Sequence, residues 1–326
     1  MIDSDRFTIL RRNGYTEREV RFLCLVGDVG GYFLRRHFRQ FLGTKRGRPE
    51  ATLDAKLLDN RHAKLYLGPG GVELYHLSRR WFYRAIGSPE CRNRRKRKPS
   101  AIHSRLLMLD LVLAHPDSRH LLSDRDKTRY LAQERYVPRF ILPVIQRRWI
   151  DRFPIYLDRD LAATKPFVRF CYVDPQVYSE QRLRSFLERH TPLWERLGDF
   201  RVPYLTDRRW NGRAAKATFD CFMETRWPRS MRDQPSTRER ILRAFRLEKQ
   251  LRSRQIHHPQ GHGDRLIREL KQQLTTARYE SLYDVWAQTS DQAVYDLVAP
   301  DPHELWPNGD LDVHLVGYDY RWLYPA

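Results

Sequence analysis

The chain has 326 residues, 41% of them hydrophobic and 12% aromatic, which is enough apolar material for the cores of two folded domains. Its 60 Lys and Arg exceed its 40 Asp and Glu by 20, with a pI near 10.1, and the usual physical use of such a surplus is long-range attraction to a polyanion, nucleic acid first. An anionic membrane would draw the same charge, but no apolar run approaches about 18 residues, no hydrophobic segment follows Met1-Ile2-Asp3-Ser4-Asp5, and Cys24, Cys91, Cys171 and Cys221 lack zinc or disulfide spacing. A chain of the reducing cytoplasm, with neither metal nor cofactor, is the expectation.

The surplus is uneven: residues 1–100 hold 23 Lys and Arg against 10 Asp and Glu, so 13 of the 20 excess charges lie there. In that stretch Thr16 and Glu19 have capping-box spacing and predict a helix carrying Val20, Leu23 and Cys24 inward, ended by the glycines of 27–31. A second helix is expected over 34–42, with Phe33, His37, Phe38 and Phe41 or Leu42 inward, Arg35, Arg36 and Arg39 in water, and Gly43 closing it. After the basic turn Thr44-Lys45-Arg46-Gly47-Arg48, Pro49 suits the first position of a helix over 49–60, with Leu53, Leu57 and Leu58 facing the core. Residues 63–68 and 72–78 alternate around Pro69-Gly70-Gly71 and predict a hairpin. Helix, helix, helix and hairpin in this order make a winged helix-turn-helix.

In such a module the third helix faces a DNA groove, so Lys45, Arg46, Arg48, Thr52 and Lys56 are candidate contacts, with Lys64 on the hairpin. Six cations fall in the seven residues that follow at 92–98, of which Arg94, Arg95, Lys96, Arg97 and Lys98 are candidate phosphate contacts. A solvated linker and a localisation signal are the other readings of that run. The module also has a plain counterpart, a protein-protein adaptor.

A helix capped by Ser100 is expected to run to His115, packed on both domains, and a second to span 123–135. The spacing divides the chain into a winged-helix domain at 1–90, a basic segment and helical connector at 91–136, and an α/β domain at 137–326. Strands are expected at 153–157 and 167–173 as a hairpin, then a helix over 178–190, a turn at 192–197, and a third strand at 201–205 parallel to the second because a helical crossover precedes it. A helix at 211–223 and an edge strand at 311–316 complete the sheet. Two charged helices around His257, His258 and His262 are expected over 237–276, able to pair with a second copy or to pack on the sheet. These histidines read as a solvent loop, and Trp149, Trp194, Trp210 and Trp227 as core before base-stacking surface. No glycine-rich phosphate loop precedes a Lys-Ser/Thr pair.

The winged helix followed by strand, strand, helix, strand resembles the replication-relaxation family of bacterial plasmids and mobile elements, over residues 15–225. The resemblance implies an overall α+β class, with a mixed α/β sheet domain resembling a degenerate PD-(D/E)XK nuclease fold, in which a Pro-Asp sits in the first strand and a Glu-x-Asp ends the second. Here Pro154 is followed by Ile155, and Tyr172 stands in place of the glutamate, so only Asp174 matches. Phosphodiester cleavage needs several carboxylates around a hard cation, and Asp158, Asp160 and Asp174 are the acids left to cluster at one sheet edge. The expectation is a non-catalytic protein that binds double-stranded DNA, possible as a homodimer. A divergent metal-dependent nuclease and an adaptor are the alternatives.

Overall fold

The computed structural model describes residues 4–44, 48–146, 148–151, 153–158, 167–175, 178–253 and 262–324. Two compact units emerge, 1–221 with 308–326, and 222–307. The fold is mixed α+β with a mixed sheet. The expected divisions at 90 and 136 both fall inside the first unit, and the expected 137–326 domain is interrupted by the second.

The first unit begins with α1 (Ser4–Arg11) and α2 (Glu17–Val29), where Thr16 and Glu19 cap each other as the spacing predicts. Next comes a three-residue strand, β1 (Tyr32–Leu34), in a stretch expected to be turn and helix start. Then follow α3 (Arg35–Leu42), closed by Gly43 at φ 66°, α4 (Arg48–Asp59), and the expected hairpin of β2 (Ala63–Leu67) and β3 (Glu73–Leu77). The short strand pairs antiparallel with β3, so a three-stranded sheet of order β1-β3-β2 backs the helices. One face of that sheet, with Phe33, Tyr75 and Leu77, meets Val20, Phe22, Phe38, Leu53 and Leu57 in the helical core. Leu58, expected inward, is 37% exposed.

The helix α5 (Arg80–Ala85) leads to the basic run, and α6 (Pro99–Ala114) starts on Pro99 with Lys98, rather than Ser100, at its cap. Apolar residues ring α6, which marks a helix buried all round. Leu109 and Val112 join the amino-terminal core, while Ile102, Leu106, Leu107 and Leu111 join a second cluster. That cluster holds Tyr32, Leu34 and Leu74 from the small sheet and Tyr156, Cys171, Val173 and Leu205 from a larger one. Both faces of the small sheet are therefore covered, and the amino-terminal part is fused to the rest instead of tethered.

The larger sheet recruits a strand the sequence hid, β4 (Arg119–Leu121), ahead of α7 (Asp124–Arg129), a π turn at Tyr130–Glu134 and a short hairpin of β5 (Val144–Ile145) and β6 (Arg148–Trp149). The following strands are β7 (Ile155–Leu157), β8 (Val168–Phe170) and β9 (Tyr172–Val173). A single helix, α8 (Glu180–Leu197), carries Pro192 inside it where a break was expected. The proline removes one donor, and just before it the side chains of His190 and Thr191 bond the carbonyls of Phe186 and Leu187. Strand β10 (Asp199–Thr206) and helix α9 (Arg209–Arg226) follow.

In the second unit, α10 (Arg229–Arg232), α11 (Thr237–Arg252), α12 (His262–Leu274), α13 (Thr276–Gln288) and α14 (Gln292–Leu297) precede the return of the chain to the first unit as β11 (Asn308–Leu315). The larger sheet has the order β11-β10-β8-β7-β4, with β9 also on β10. As predicted, β7 and β8 are antiparallel, and β10 runs parallel to β8 and β9.

The second unit has its own core, in which Phe245 meets Tyr279, Tyr283 and Trp286 at ring separations of 5.1, 5.3 and 5.4 Å. Ile241, Leu242, Ile267 and Leu270 are buried there too, so the apolar stripes of the charged helices meet within one helical cluster. His257 and His258 lie outside the described residues. No described helix is long and apolar enough to cross a membrane.

Candidate nucleic-acid interface

The candidate contacts on and before α4 divide sharply. Lys45 and Arg46 lie outside the described residues, and of Arg48 only its place at the start of α4 is described. Thr52 is exposed. Lys56 turns inward, a correction to its expected outer-face position: its Nζ lies 3.1 and 2.9 Å from the two carboxylate oxygens of the buried Glu19. Glu19 already accepts the Thr16 backbone N–H at 2.6 Å, so Lys56 ties α4 to the capping box.

The arginines of α3 are engaged as well. Arg35 pairs with Asp54 on α4 and with Glu73 on β3, the latter at 2.7 Å, and Arg39 lies 3.5 Å from Glu50. Arg36, expected in water, is the largest departure. Its guanidinium bonds Asp110 of α6 at 2.7 Å and also the Tyr320 hydroxyl, under the ring of Tyr318 at 4.2 Å. His37 completes the network. Its Nδ1 accepts the Leu34 N–H at 3.0 Å, which leaves Nε2 to donate toward Asp110 at 3.2 Å. Burial alone would raise the Asp110 carboxyl, but the bonds from His37 and Arg36 outweigh it and hold the group down to about 2.

The run Arg92–Lys98 is neither free linker nor helix. It makes a 3-10 turn at Arg92–Arg94 and is then strapped across the small sheet. Asn93 anchors it twice, its side-chain amide donating to Gly27 O at 2.9 Å and its carbonyl accepting from His76 Nε2 at 2.9 Å. The Tyr32 hydroxyl accepts the Arg97 N–H at 3.1 Å and points at Arg95 O at 3.5 Å. Beneath, Tyr32 stacks on His76 with ring centroids 4.1 Å apart. Lys96 covers the Tyr66 ring at 5.4 Å.

This strap lies beside Lys64, because the register sets Tyr32 opposite His76 and His76 opposite Lys64 in one row. Burial, with Arg105, Lys64 and Arg97 nearby, pushes the His76 imidazole down to about 4, so it stays neutral. Lys64, Arg92, Arg95, Lys96 and Lys98 are exposed, and Arg94 and Arg97 half-buried. None of these seven has a carboxylate partner among the described residues. Charge left unpaired on a surface is free to contact phosphate. Pairing by distant carboxylates is invisible to local spacing. A signal was present all the same: Glu50 and Asp54 lie among the cations of α3 and α4, while the strap has no acid between Glu90 and Asp110.

The carboxylates of the larger sheet do not gather. The register places Asp158, whose N–H bonds Phe167 O, at the start of β8, and Asp174 past the end of β9, roughly 23 Å of strand away. Asp158 pairs with Arg169, which also reaches Asp312 at 2.9 Å. Asp174 is buried and accepts from the Tyr204 hydroxyl and, at 3.1 Å, from Asn211 Nδ2. Asp160 lies outside the described residues. Ile155 and Tyr172, where the resemblance implies carboxylates, are buried. Tyr172 borders an open cleft of about 420 Å³ lined also by Phe153, Gln181, Arg182, Ser185, Arg189 and Asp151, and its one carboxylate, Asp151, is held by Arg189 at 3.0 Å. No group of three or more His, Cys, Asp or Glu suited to a metal ion occurs among the described residues. Trp149, Trp194 and Trp227 are core, and Trp210 is 65% exposed.

Comparison with family models, with curated proteins and with solved structures gave no match.

Proposed function

We infer that this chain binds double-stranded DNA without cutting it, as a protein of a bacterial plasmid or mobile element serving replication, transfer or their regulation. The observation that carries the reading is the strap of unpaired cations, fixed by backbone bonds beside Lys64 on the small sheet. Support also comes from the order α2, β1, α3, α4, β2, β3, which is that of a winged helix, and from the net charge of +20. The genetic setting rests on the resemblance to the replication-relaxation family. The larger sheet is read as a degenerate nuclease-like domain, because Asp158 and Asp174 stand at opposite ends of the strands and the matching positions are Ile155 and Tyr172.

Duplex affinity measured by fluorescence anisotropy at rising salt tests this. A log–log slope of several units is expected, each phosphate contact adding about 0.9. Affinity indifferent to salt would overturn the assignment, and negligible duplex affinity would favour the adaptor. Incubation of DNA with Mg²⁺ or Mn²⁺ tests the non-catalytic part: cutting abolished by Asp174→Ala would establish a nuclease.

A further inference from the structure

The segment between the π turn and β7 departs from the ordinary rule of burial. Tyr136 is 77% exposed, Phe140 88% and Ile145 62%. Large apolar side chains presented this openly along one short segment mark a surface that is covered in use. The segment is nonetheless held firmly. Val137, Leu142 and Trp149 are buried, the Val137 N–H bonds Leu131 O at 2.8 Å, the Ile150 N–H bonds Pro143 O at 3.1 Å, and the Trp149 indole donates to Thr128 at 3.2 Å. Tyr136 at φ 53° and Gln146 at φ 49° occupy the left-handed region that side chains usually avoid, so the fold holds a costly backbone in order to present this loop. In the β5–β6 hairpin Val144 is opposite Trp149 and Ile145 opposite Arg148, which puts Ile145 and Arg148 together on the outer face.

The charge says what covers it. From 135 to 150 the only charged residues are Arg135, Arg139, Arg147 and Arg148, with no lysine and no carboxylate. Arg139 and Arg148 are exposed and have no carboxylate partner among the described residues. Exposed rings interleaved with guanidinium groups, which both stack on flat faces and fork to phosphate, suit unstacked bases on an anionic backbone. A duplex keeps its bases stacked inside and offers such rings a base face only at the cost of unstacking a step, about a few kcal/mol.

The geometry points to residues 136–146 with 148–150 as a binding surface for single-stranded nucleic acid, Tyr136 and Phe140 stacking on bases while Arg139 and Arg148 hold the adjoining phosphates. It rests on the reading above only in taking nucleic acid as the partner. The chain would then hold a duplex by the strap and an opened strand by this loop.

The full chain should bind an oligothymidylate of about 16 nucleotides, and Tyr136→Ala with Phe140→Ala should weaken that binding at least about tenfold while changing duplex affinity less than about twofold. Tyr136→Trp with Phe140→Trp should restore it, which separates stacking from an effect on folding. An unchanged oligothymidylate affinity in the alanine pair overturns the proposal, as does an equal loss on duplex and single strand. Binding to phosphatidylserine vesicles that disappears in the alanine pair while oligothymidylate binding persists would assign the loop to a membrane, and a dimer of the free chain that this pair dissociates would assign it to a second copy. Loss of duplex binding on neutralising the strap is not required here: if the parent chain shows negligible duplex affinity while the alanine pair still loses the single strand, the duplex reading fails and this one stands.

Discussion

The helices α3 and α4 and the strap at Arg92–Lys98 are both rich in cations, yet the two regions use them in opposite ways. Arg35, Arg36, Arg39 and Lys56 each face a carboxylate, and those carboxylates belong to other elements: Asp54, Asp110, Glu50 and Glu19. The strap has its polar backbone pinned by Asn93, Tyr32 and His76 and its charges left unpaired. A formal charge therefore says little about where a polyanion docks until its partners are counted. In the first region the described cations hold the fold, and in the second the fold holds the cations.

The comparison breaks most visibly at Asp110. Replacing it with Ala strands Arg36 and is expected to cost about 3–5 kcal/mol, read as a lower urea midpoint by near-UV circular dichroism. No change would mean that Arg36 is solvated after all. Next in size, Lys64→Gln, Arg95→Gln and Lys96→Gln together should weaken duplex binding by about two orders of magnitude near physiological salt and flatten the salt slope by about 0.9 per contact, with the urea midpoint unchanged. If the triple variant binds as the parent does, the strap is not the docking surface.

The histidines sharpen the same contrast through pH. His76 and His190 are buried, and burial, aided at His76 by Arg105, Lys64 and Arg97, pushes both down to about 4 from the ordinary 6.5. The unfolded chain thus takes up these protons first. The stability they sustain is complete above about pH 6.5 and is lost as pH falls toward 4, on the order of 3 kcal/mol per group. The melting temperature should be level above pH 7 and fall through that window, less steeply in His76→Gln. The smallest effect is expected at the capping box. Glu19→Ala should cost about 1–2 kcal/mol, and Lys56→Gln should alter duplex affinity less than about twofold. A loss with Lys56→Gln equal to that of the strap triple would return the contact to α4.

Local pattern revealed what local physics decides. Thr16 with Glu19, the hairpin around Pro69-Gly70-Gly71, the β7–β8 pair and the parallel placement of β10 after a helix were all legible in spacing and turn chemistry. The three-residue strands Tyr32–Leu34 and Arg119–Leu121 were not, because a strand so short exists only through its partner, and the partners are His76 and Tyr156 with their neighbours. Pro192 misled for the converse reason, since burial of Leu193 and Trp194 carries α8 through a residue that would end an isolated helix. At the candidate interface the run of cations and the lack of nearby acids in sequence were plain, whereas the absence of carboxylates brought in from distant elements was not. That property belongs to the tertiary structure.

Arg36 and Tyr320 are 284 residues apart, and between them the chain builds the whole second unit before returning as β11. During synthesis Arg36, His37 and Asp110 leave the ribosome long before the tyrosine that completes their bonding exists. The network they form is completed by a contact of very long sequence separation, the kind that is slow to form. Closure of this network is a long-range event, and a lesion at Tyr320 acts directly on Arg36 and His37, 284 and 283 residues earlier in the chain.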